Sequence, residues 1–354
     1  MERYINSFAT ENDIQIALEN GELLKPYVAY IEDVDRIDWN SKEKVDYTTE
    51  YLTFNILSAG TINWTASKTD VTKTIDYKLN NGEWVSITSN TEASAPTITV
   101  NSGDKLQFKG SNTQYASGSS KYNSFSGSAS FEVEGNIMSL IYGDNFATLT
   151  TLESAFTFYM LFYNCTGLTS AENLILPANS LASYCYGRMF AGCTSLTTAP
   201  ALPATTLAGD CYSYMFDSCK SLTTAPALPA TTLAGYCYSY MFGRCASLTT
   251  APALPATTLA DSCYSSMFWN CTSLTTAPAL PATTLGRWCY LRMFLGCTNL
   301  NYIKCLATNI SASDCTNTWV DGVASTGTFV KASSMTSWTT GKNGIPSGWT
   351  VQDT

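Results

Sequence analysis

The sequence predicts a multi-domain, β-rich protein that ends in a solenoid of short parallel strands and short helices. Leucines recur every 26 residues from Leu196 to Leu300, and the segment LTTAPALPATTL occurs four times without a change. Short segments typical of strands precede these repeats. We expect a small α/β attachment unit at residues 1–46, an Ig-like β-sandwich at 47–142, the solenoid at 143–315 and a C-terminal cap at 316–354.

Residues 1–46 are predicted to form a separate unit. Thr10 with Asp13 resembles a helix-capping pattern and Asn20 with Gly21 a helix stop, so a helix is expected near residues 11–19. Residues 26–33 are typical of a strand. The first 50 residues carry a net charge of −7 out of −9 for the chain. This acidity could steer docking, or it could be an ordinary solvated surface.

Residues 47–142 contain seven candidate strands, and Asn81 with Gly82 predicts a hairpin turn between two of them. The strands are YLTFNIL, TINWTAS, KTIDYKL, EWVSIT, PTITV, KLQFKG and SASFEVEG. The stretch 111–129 is rich in Ser and Gly and is therefore expected to be a mobile loop.

Each repeat is predicted to consist of a short extended piece, a turn and a short helix. Proline follows the extended piece in every copy, so strand pairing should be limited to residues 196–199 and their equivalents. Leu207, Cys211, Met215 and Cys219 are spaced by four residues, which places them on one face of a helix. Such a face is buried only when repeats stack.

Twelve of the thirteen cysteines fall in two columns with the period of the repeats. Both columns lie on the predicted apolar face, where cysteine acts as a small hydrophobic residue. Buried free thiols are therefore expected. The spacing of eight residues between the columns is not that of a metal site. Free thiols also fit synthesis in a reducing cytoplasm.

The composition excludes several functions. The chain has no histidine, which removes Ser-His-Asp and Cys-His catalysis and every zinc site that needs imidazole. The net charge of −9 argues against a nucleic-acid partner. No run of 18 apolar residues occurs, so membrane insertion is not expected, and the N-terminus does not resemble a secretion signal. No cofactor or metal is predicted.

The repeats differ from one another only in a few positions of their predicted helices, which we call the variable slots. They are rich in Tyr, Trp, Arg, Ser, Gly, Asp and Asn, as binding surfaces of antibodies are. Relaxed drift on a solvated face is the alternative, but it would favour Lys, Glu and Gln, which are nearly absent. We predict that the slots bind a ligand through Tyr184, Arg188, Asp210, Tyr214, Asp217, Tyr236, Tyr240, Arg244, Asp261, Trp269, Arg287, Trp288 and Arg292.

The motif MFxxCxSL followed by a Leu/Pro segment resembles the BspA-type leucine-rich repeat proteins of gut Bacteroides and their phages. The resemblance covers roughly residues 143–349, including GNIMSLIYGDNF and GIPSGWTV. It implies a non-catalytic recognition module on a cell or virion surface. The segment LLKPYVAYIEDVDRIDWN is similar to the start of structural proteins in crAss-like Bacteroides phages. Phage lysis would release a protein without a secretion signal.

The sequence is compatible with three functions. The first is a bacteriophage virion protein, a head or tail fibre or capsid decoration made in the host cytoplasm. Residues 1–46 would bind other virion proteins and the repeats a host-surface or mucosal glycan or protein, with the chain a dimer or trimer. The second is a bacterial cell-surface adhesin exported without a classical signal. The third is a glycan-active enzyme, which would need paired carboxylates, but no Asp or Glu recurs in register.

Overall fold

A computed structural model describes residues 46–354 and, before them, the backbone of two short strands, β1 (Ile37–Asp38) and β2 (Glu43–Lys44). These two strands pair in antiparallel fashion. The helix predicted near residues 11–19 and the strand predicted at 26–33 lie outside the described residues.

The described part is β-rich and contains several sheets, as predicted. Its strands after β2 are β3 (Leu52–Ile56), β4 (Gly60–Ala66), β5 (Thr74–Leu79), β6 (Val85–Thr88), β7 (Thr97–Val100), β8 (Lys105–Lys109), β9 (Ala116–Gly118), β10 (Lys121–Gly127), β11 (Phe131–Asn136), β12 (Leu168–Ile175), β13 (Tyr302–Cys305), β14 (Thr328–Lys331) and β15 (Thr350–Asp353). One short α-helix, α1 (Ser139–Tyr142), follows β11, and 3-10 turns occupy Tyr47–Thr49, Thr69–Val71, Glu92–Ser94 and Gly143–Asn145.

Strands β3 to β11 form two sheets that pack against each other. One has the order β7-β4-β10-β9, and the other β12-β11-β3-β8-β5-β6. All seven strands predicted between residues 47 and 142 are present, and the turn between β5 and β6 is confirmed. The sheets meet through aromatic rings, because the ring of Phe125 on β10 lies 4.9 Å from that of Phe54 on β3 and 4.8 Å from that of Phe108 on β8.

The prediction of a mobile loop at residues 111–129 is wrong. This stretch contains all of β9 and β10, and the side chains of Tyr115 and Phe125 in it are fully buried. Several of its Ser and Asn side chains make hydrogen bonds. The buried amide of Asn123, for example, donates to the carbonyl oxygens of Val71 and Tyr115. Two buried rings outweigh the turn-forming composition of the stretch.

The first repeat is joined to the sandwich by a shared sheet. Its strand β12 pairs in parallel with β11, while Ser170 on the same strand bridges to Thr198 of the next repeat. This repeat is two residues longer than the others, and its extra residues lie between Ser170 and Ser180. Residues 171–176 of this repeat are AENLIL, where the next repeat has APAL at 199–202. Without the proline, a full strand can form.

The prediction of a short helix in each repeat is wrong. Residues 182–193 and their equivalents form a series of tight turns in which every second N–H bonds to the carbonyl three residues earlier. An α-helix would instead bond each N–H to the carbonyl four residues earlier. The spacing of four between buried residues suits both structures, so it could not distinguish them.

The remaining N–H groups of each turn segment bond to the next repeat. Tyr186 donates to the carbonyl of Cys211, Arg188 to that of Ser213 and Phe190 to that of Met215. The same pattern recurs from repeat to repeat. The extended pieces add isolated parallel bridges, at Thr198 and its equivalents as predicted and also at a second column, which is Ser180, Thr206, Thr232, Thr258, Thr284 and Asn309.

Two ladders of stacked rings fill the interior of the repeats. One consists of tyrosines, with ring centroids 5.7–6.3 Å apart from Tyr186 to Tyr290. The other consists of phenylalanines, from Phe162 to Phe294. Both ladders continue into the sandwich. The phenylalanine ladder reaches it where Phe162 stacks on Phe125. The tyrosine ladder reaches it through Phe158, which stacks on Tyr186 on one side and on Tyr115 on the other.

All thirteen cysteines are buried free thiols, as predicted. Five cysteines of one column, Cys193 and its equivalents to Cys297, donate from Sγ to a phenylalanine carbonyl in the preceding repeat, as Cys219 does to Phe190 at 3.1 Å. Burial raises the pKa of Cys237 in the other column to about 12. Such thiols are un-ionised at neutral pH and have little nucleophilic reactivity.

The C-terminal residues pack on the last repeat. Strands β13, β14 and β15 form a parallel sheet, and the fully buried ring of Trp319 stacks between Tyr290 and Trp338. The indole N–H of Trp319 donates to the carbonyl of Gly344 at 2.8 Å. The tyrosine ladder therefore ends in tryptophan rings instead of facing solvent.

We expect the native protein to be almost inert to a thiol reagent such as Ellman's reagent at about pH 8, because a thiol with a pKa near 12 is ionised in only roughly one molecule in ten thousand. Unfolding in guanidinium chloride should release all thirteen thiols. Rapid native reaction of more than one or two cysteines would contradict this packing.

Candidate binding surface

The variable slots occupy the turn segments, and most of them share an unusual backbone conformation. Three residues in each turn segment have a positive φ, and they form three columns that run along the stack. The columns are Phe156, Tyr184, Asp210, Tyr236, Ser262, Trp288 and Asp314; Met160, Arg188, Tyr214, Tyr240, Ser266, Arg292 and Thr318; and Asn164, Gly192, Ser218, Arg244, Asn270, Gly296 and Gly322.

Positive φ is costly for residues with a Cβ atom and is found at the third residue of type II turns. In the third column five of the seven residues are Gly or Asn, the types that tolerate this conformation best. That enrichment was a signal of turns in the sequence. The first two columns give no such signal in the sequence, because residues such as Tyr, Arg, Asp and Trp have the same positive φ there.

Five slot residues form one continuous cluster along the turn edge, which we call the ring–arginine cluster: Arg188, Tyr214, Tyr240, Trp269 and Arg244. The Cζ atom of Arg188 lies 3.8 Å from the ring centroid of Tyr214, which stacks on Tyr240 at 4.4 Å. Trp269 meets Tyr240 edge-on, and Arg244 lies over the Trp269 ring at 4.6 Å. The cluster therefore extends over four consecutive repeats.

Asp217 lies beneath this cluster and is only 7% exposed. Its Oδ1 atom is 3.7 Å from Nε of Arg244 and has no hydrogen-bond partner among the described residues. Burial raises the pKa of the Asp217 carboxyl more than the positive charge of Arg244 lowers it. This residue is therefore placed to hold Arg244 and not to present a charge to solvent.

The other predicted site residues lie along the same edge but outside the cluster. Tyr184 stacks on Phe156, and burial together with the nearby Asp210 carboxylate raises the pKa of its hydroxyl. Arg287 lies over the ring of Trp288, whose indole N–H donates to Asp314 at 3.4 Å. The remaining three are exposed: Tyr236, Asp261 and Arg292.

One repeat interrupts the line of large side chains. Its slots hold Ser262 and Ser266, which are 2% and 1% exposed. The Ser266 hydroxyl has no hydrogen-bond partner among the described residues. Both serines occupy variable slots, yet neither is exposed to solvent.

A groove of about 510 Å³ lies away from the variable slots, along the extended pieces. Residues of the fixed frame line most of it, among them Thr197, Pro200, Thr223 and Pro226. The fixed frame repeats without change, so this groove offers similar chemistry at each level. The variable edge is the surface that differs along the stack.

Within residues 46–354 no three His, Cys, Asp or Glu side chains are grouped so as to hold a metal ion. No helix in that part of the chain has the length and apolar character needed to cross a membrane.

Together the fold and the surface define a β-rich protein of stacked repeats with one edge of variable side chains. No protein-family model matches the chain, and no curated protein or solved structure matches it either.

Because most slot residues have a positive φ, replacement by glycine should give a more stable protein than replacement by alanine at those positions, the reverse of the usual order. We expect Tyr236→Gly to be more stable than Tyr236→Ala by about 1 kcal/mol, because alanine keeps the left-handed strain that glycine removes. Urea unfolding of both variants measures the difference, and the pair cancels the loss of the tyrosine side chain. Equal stability, or a more stable alanine variant, would contradict the backbone conformation.

Proposed function

We propose that this chain is a non-enzymatic structural protein of a bacteriophage virion, a head or tail fibre or decoration, that binds a host-surface or mucosal glycan or protein. The repeats would be a BspA-type leucine-rich repeat solenoid, and the preceding sheets an Ig-like spacer. Residues 1–46 would attach the chain to the particle. The observation that carries the proposal is the alignment of variable side chains into one edge above an invariant core.

Three features support a binding role for this edge. The slots vary while the frame beneath them is constant, so ligand contacts can change without a change in packing. Stacked rings and arginines give a large and rigid contact area, which is typical of binding hot spots. In addition, the slot residues keep a strained φ, and such strain is tolerated at functional positions more often than elsewhere.

The attachment to a virion rests on the sequence resemblance and on the acidic N-terminal residues. Peptide mass spectrometry of purified phage particles tests it, and we expect peptides of this chain in fixed proportion to the major capsid protein. Detection in the outer membrane of an uninfected bacterium, and its absence from particles, would favour the cell-surface adhesin instead.

The binding role is tested separately with the full chain. Replacing Tyr184, Tyr214, Tyr236, Tyr240, Trp269 and Trp288 by Ser should abolish binding to host cells or mucin, because it removes the rings of the edge. A matched control replaces six exposed frame threonines, Thr205, Thr231, Thr257, Thr283, Thr223 and Thr249, by Ser. Full binding by the edge variant would end the proposal for this surface.

A further inference from the structure

The contact geometry of the arginines restricts what they can bind. A guanidinium group that lies flat on an aromatic ring uses its face for that contact and keeps its N–H donors at its edge. The Cζ atom of Arg188 lies over the Tyr214 ring at 3.8 Å and that of Arg244 over the Trp269 ring at 4.6 Å. A guanidinium group over a ring can still offer its terminal N–H donors as a fork to two oxygen atoms of a carboxylate, sulfate or phosphate group.

Each arginine also lies near a second group. Burial raises the pKa of the Tyr159 hydroxyl while the nearby positive charge of Arg188 lowers it, and Nε of Arg244 faces the buried Asp217 at 3.7 Å. Fixing the side chains before binding lowers the entropy lost when a ligand is bound. The side chain of Arg244 is still 45% exposed, so a ligand can reach it.

The charge of the edge differs from that of the chain. Between residues 184 and 296 it has five basic side chains and three acidic ones, a net charge of +2 on a chain of net charge −9. The basic residues are Arg188, Lys220, Arg244, Arg287 and Arg292. An acidic ligand is therefore directed to this edge and repelled by the rest of the molecule.

We propose that the ring–arginine cluster binds an acidic glycan, with Arg188 and Arg244 each pairing with a carboxylate or sulfate group. This inference rests on the proposed binding function and names its ligand class. The rings under the two guanidinium groups belong to alternate repeats, so the groups lie roughly 10 Å apart, two inter-strand spacings. That separation suits acids on successive units of a polysaccharide.

A glycan fits the surroundings better than a polyanionic peptide or a nucleic acid. Exposed rings such as Tyr236, which is 43% exposed, can pack against sugar faces, and the partly exposed side chains of Ser218 and Asn270 can bond to hydroxyl groups. Arg188 and Arg244 are the cations of the ring–arginine cluster, and Arg287 lies over its chain neighbour Trp288 farther along the edge. A ligand with acids at wide intervals on a hydroxyl-rich chain matches this pattern.

The test uses the full chain and immobilised chondroitin sulfate in four forms: intact, desulfated, carboxyl-reduced, and both desulfated and carboxyl-reduced. At near-physiological salt we expect binding to the acid-bearing forms and about tenfold or greater weakening on the neutral form. The desulfated and carboxyl-reduced forms separate the two sources of the acidic group.

Two variants test the role of the stacked forks. The double variant R188K/R244K keeps both charges but loses the planar fork, so its affinity should fall about tenfold. Lys68→Gln removes an exposed charge outside the edge and should change affinity by no more than about twofold. Unchanged circular dichroism and melting temperature show that each variant is folded.

Several results would overturn the inference: no binding to any form, equal binding to the neutral form, full affinity of the double lysine variant, or stronger binding to poly-glutamate. If the unchanged chain bound the neutral form as well as the acidic forms, and the ring-to-serine edge variant bound neither, the proposed binding function would stand while the acidic ligand would be wrong. Binding that survives in that edge variant would contradict both.

Discussion

The alternation of backbone hydrogen bonds in the turn segments is the constraint on which the rest of the repeat structure depends. Every second N–H is satisfied within its own turn and the others by the next repeat. Buried N–H groups left without a partner are costly, so each repeat must present its carbonyls in register. That requirement keeps the repeats at 26 residues and places the rings of Tyr186 and Tyr212 one above the other.

The same constraint explains how a constant interior and a variable edge coexist. Turns with positive φ at every fourth residue direct the intervening residues, such as Cys211 and Met215, into the core. The backbone at the positive-φ positions is fixed by the inter-repeat bonds, whichever side chain it carries. Tyr214, Ser266 and Arg292 therefore adopt the same conformation in different repeats, and the edge can vary at little cost to the core.

The two-residue insertion in the first repeat shows what happens where the constraint is relaxed. It lies in the extended piece and not in the turn segment, so the ring ladders and turn bonds continue without interruption. The longer piece forms β12, which pairs with β11 of the sandwich on one side and bridges to the second repeat on the other. The sandwich thus closes the first end of the ladders, as Trp319 and Trp338 close the second.

Much of the fold could be predicted from the sequence because its signals are local. Short strand-like segments with turn signals identified the seven sandwich strands. The column of prolines did not limit pairing to residues 196–199 and their equivalents, because a second column of bridges runs through Ser180 and Thr206. The Ser- and Gly-rich stretch was misjudged because composition does not show that Tyr115 and Phe125 are buried. A spacing of four residues between buried positions fits helices and turns equally well. The Gly and Asn residues of the third column, at positive φ, are the local signal that favours turns.

By itself the sequence determined the repeat length, the core positions of the repeats, the free thiols and the positions that vary, since each of these follows from periodicity. Only the tertiary structure decided which variable residues meet. Arg188, Tyr214 and Tyr240 come from three repeats and touch because stacking brings residues 26 apart into contact. Likewise the burial of Asp217 beneath Arg244 depends on the neighbouring repeat, which no local pattern in its own turn can specify.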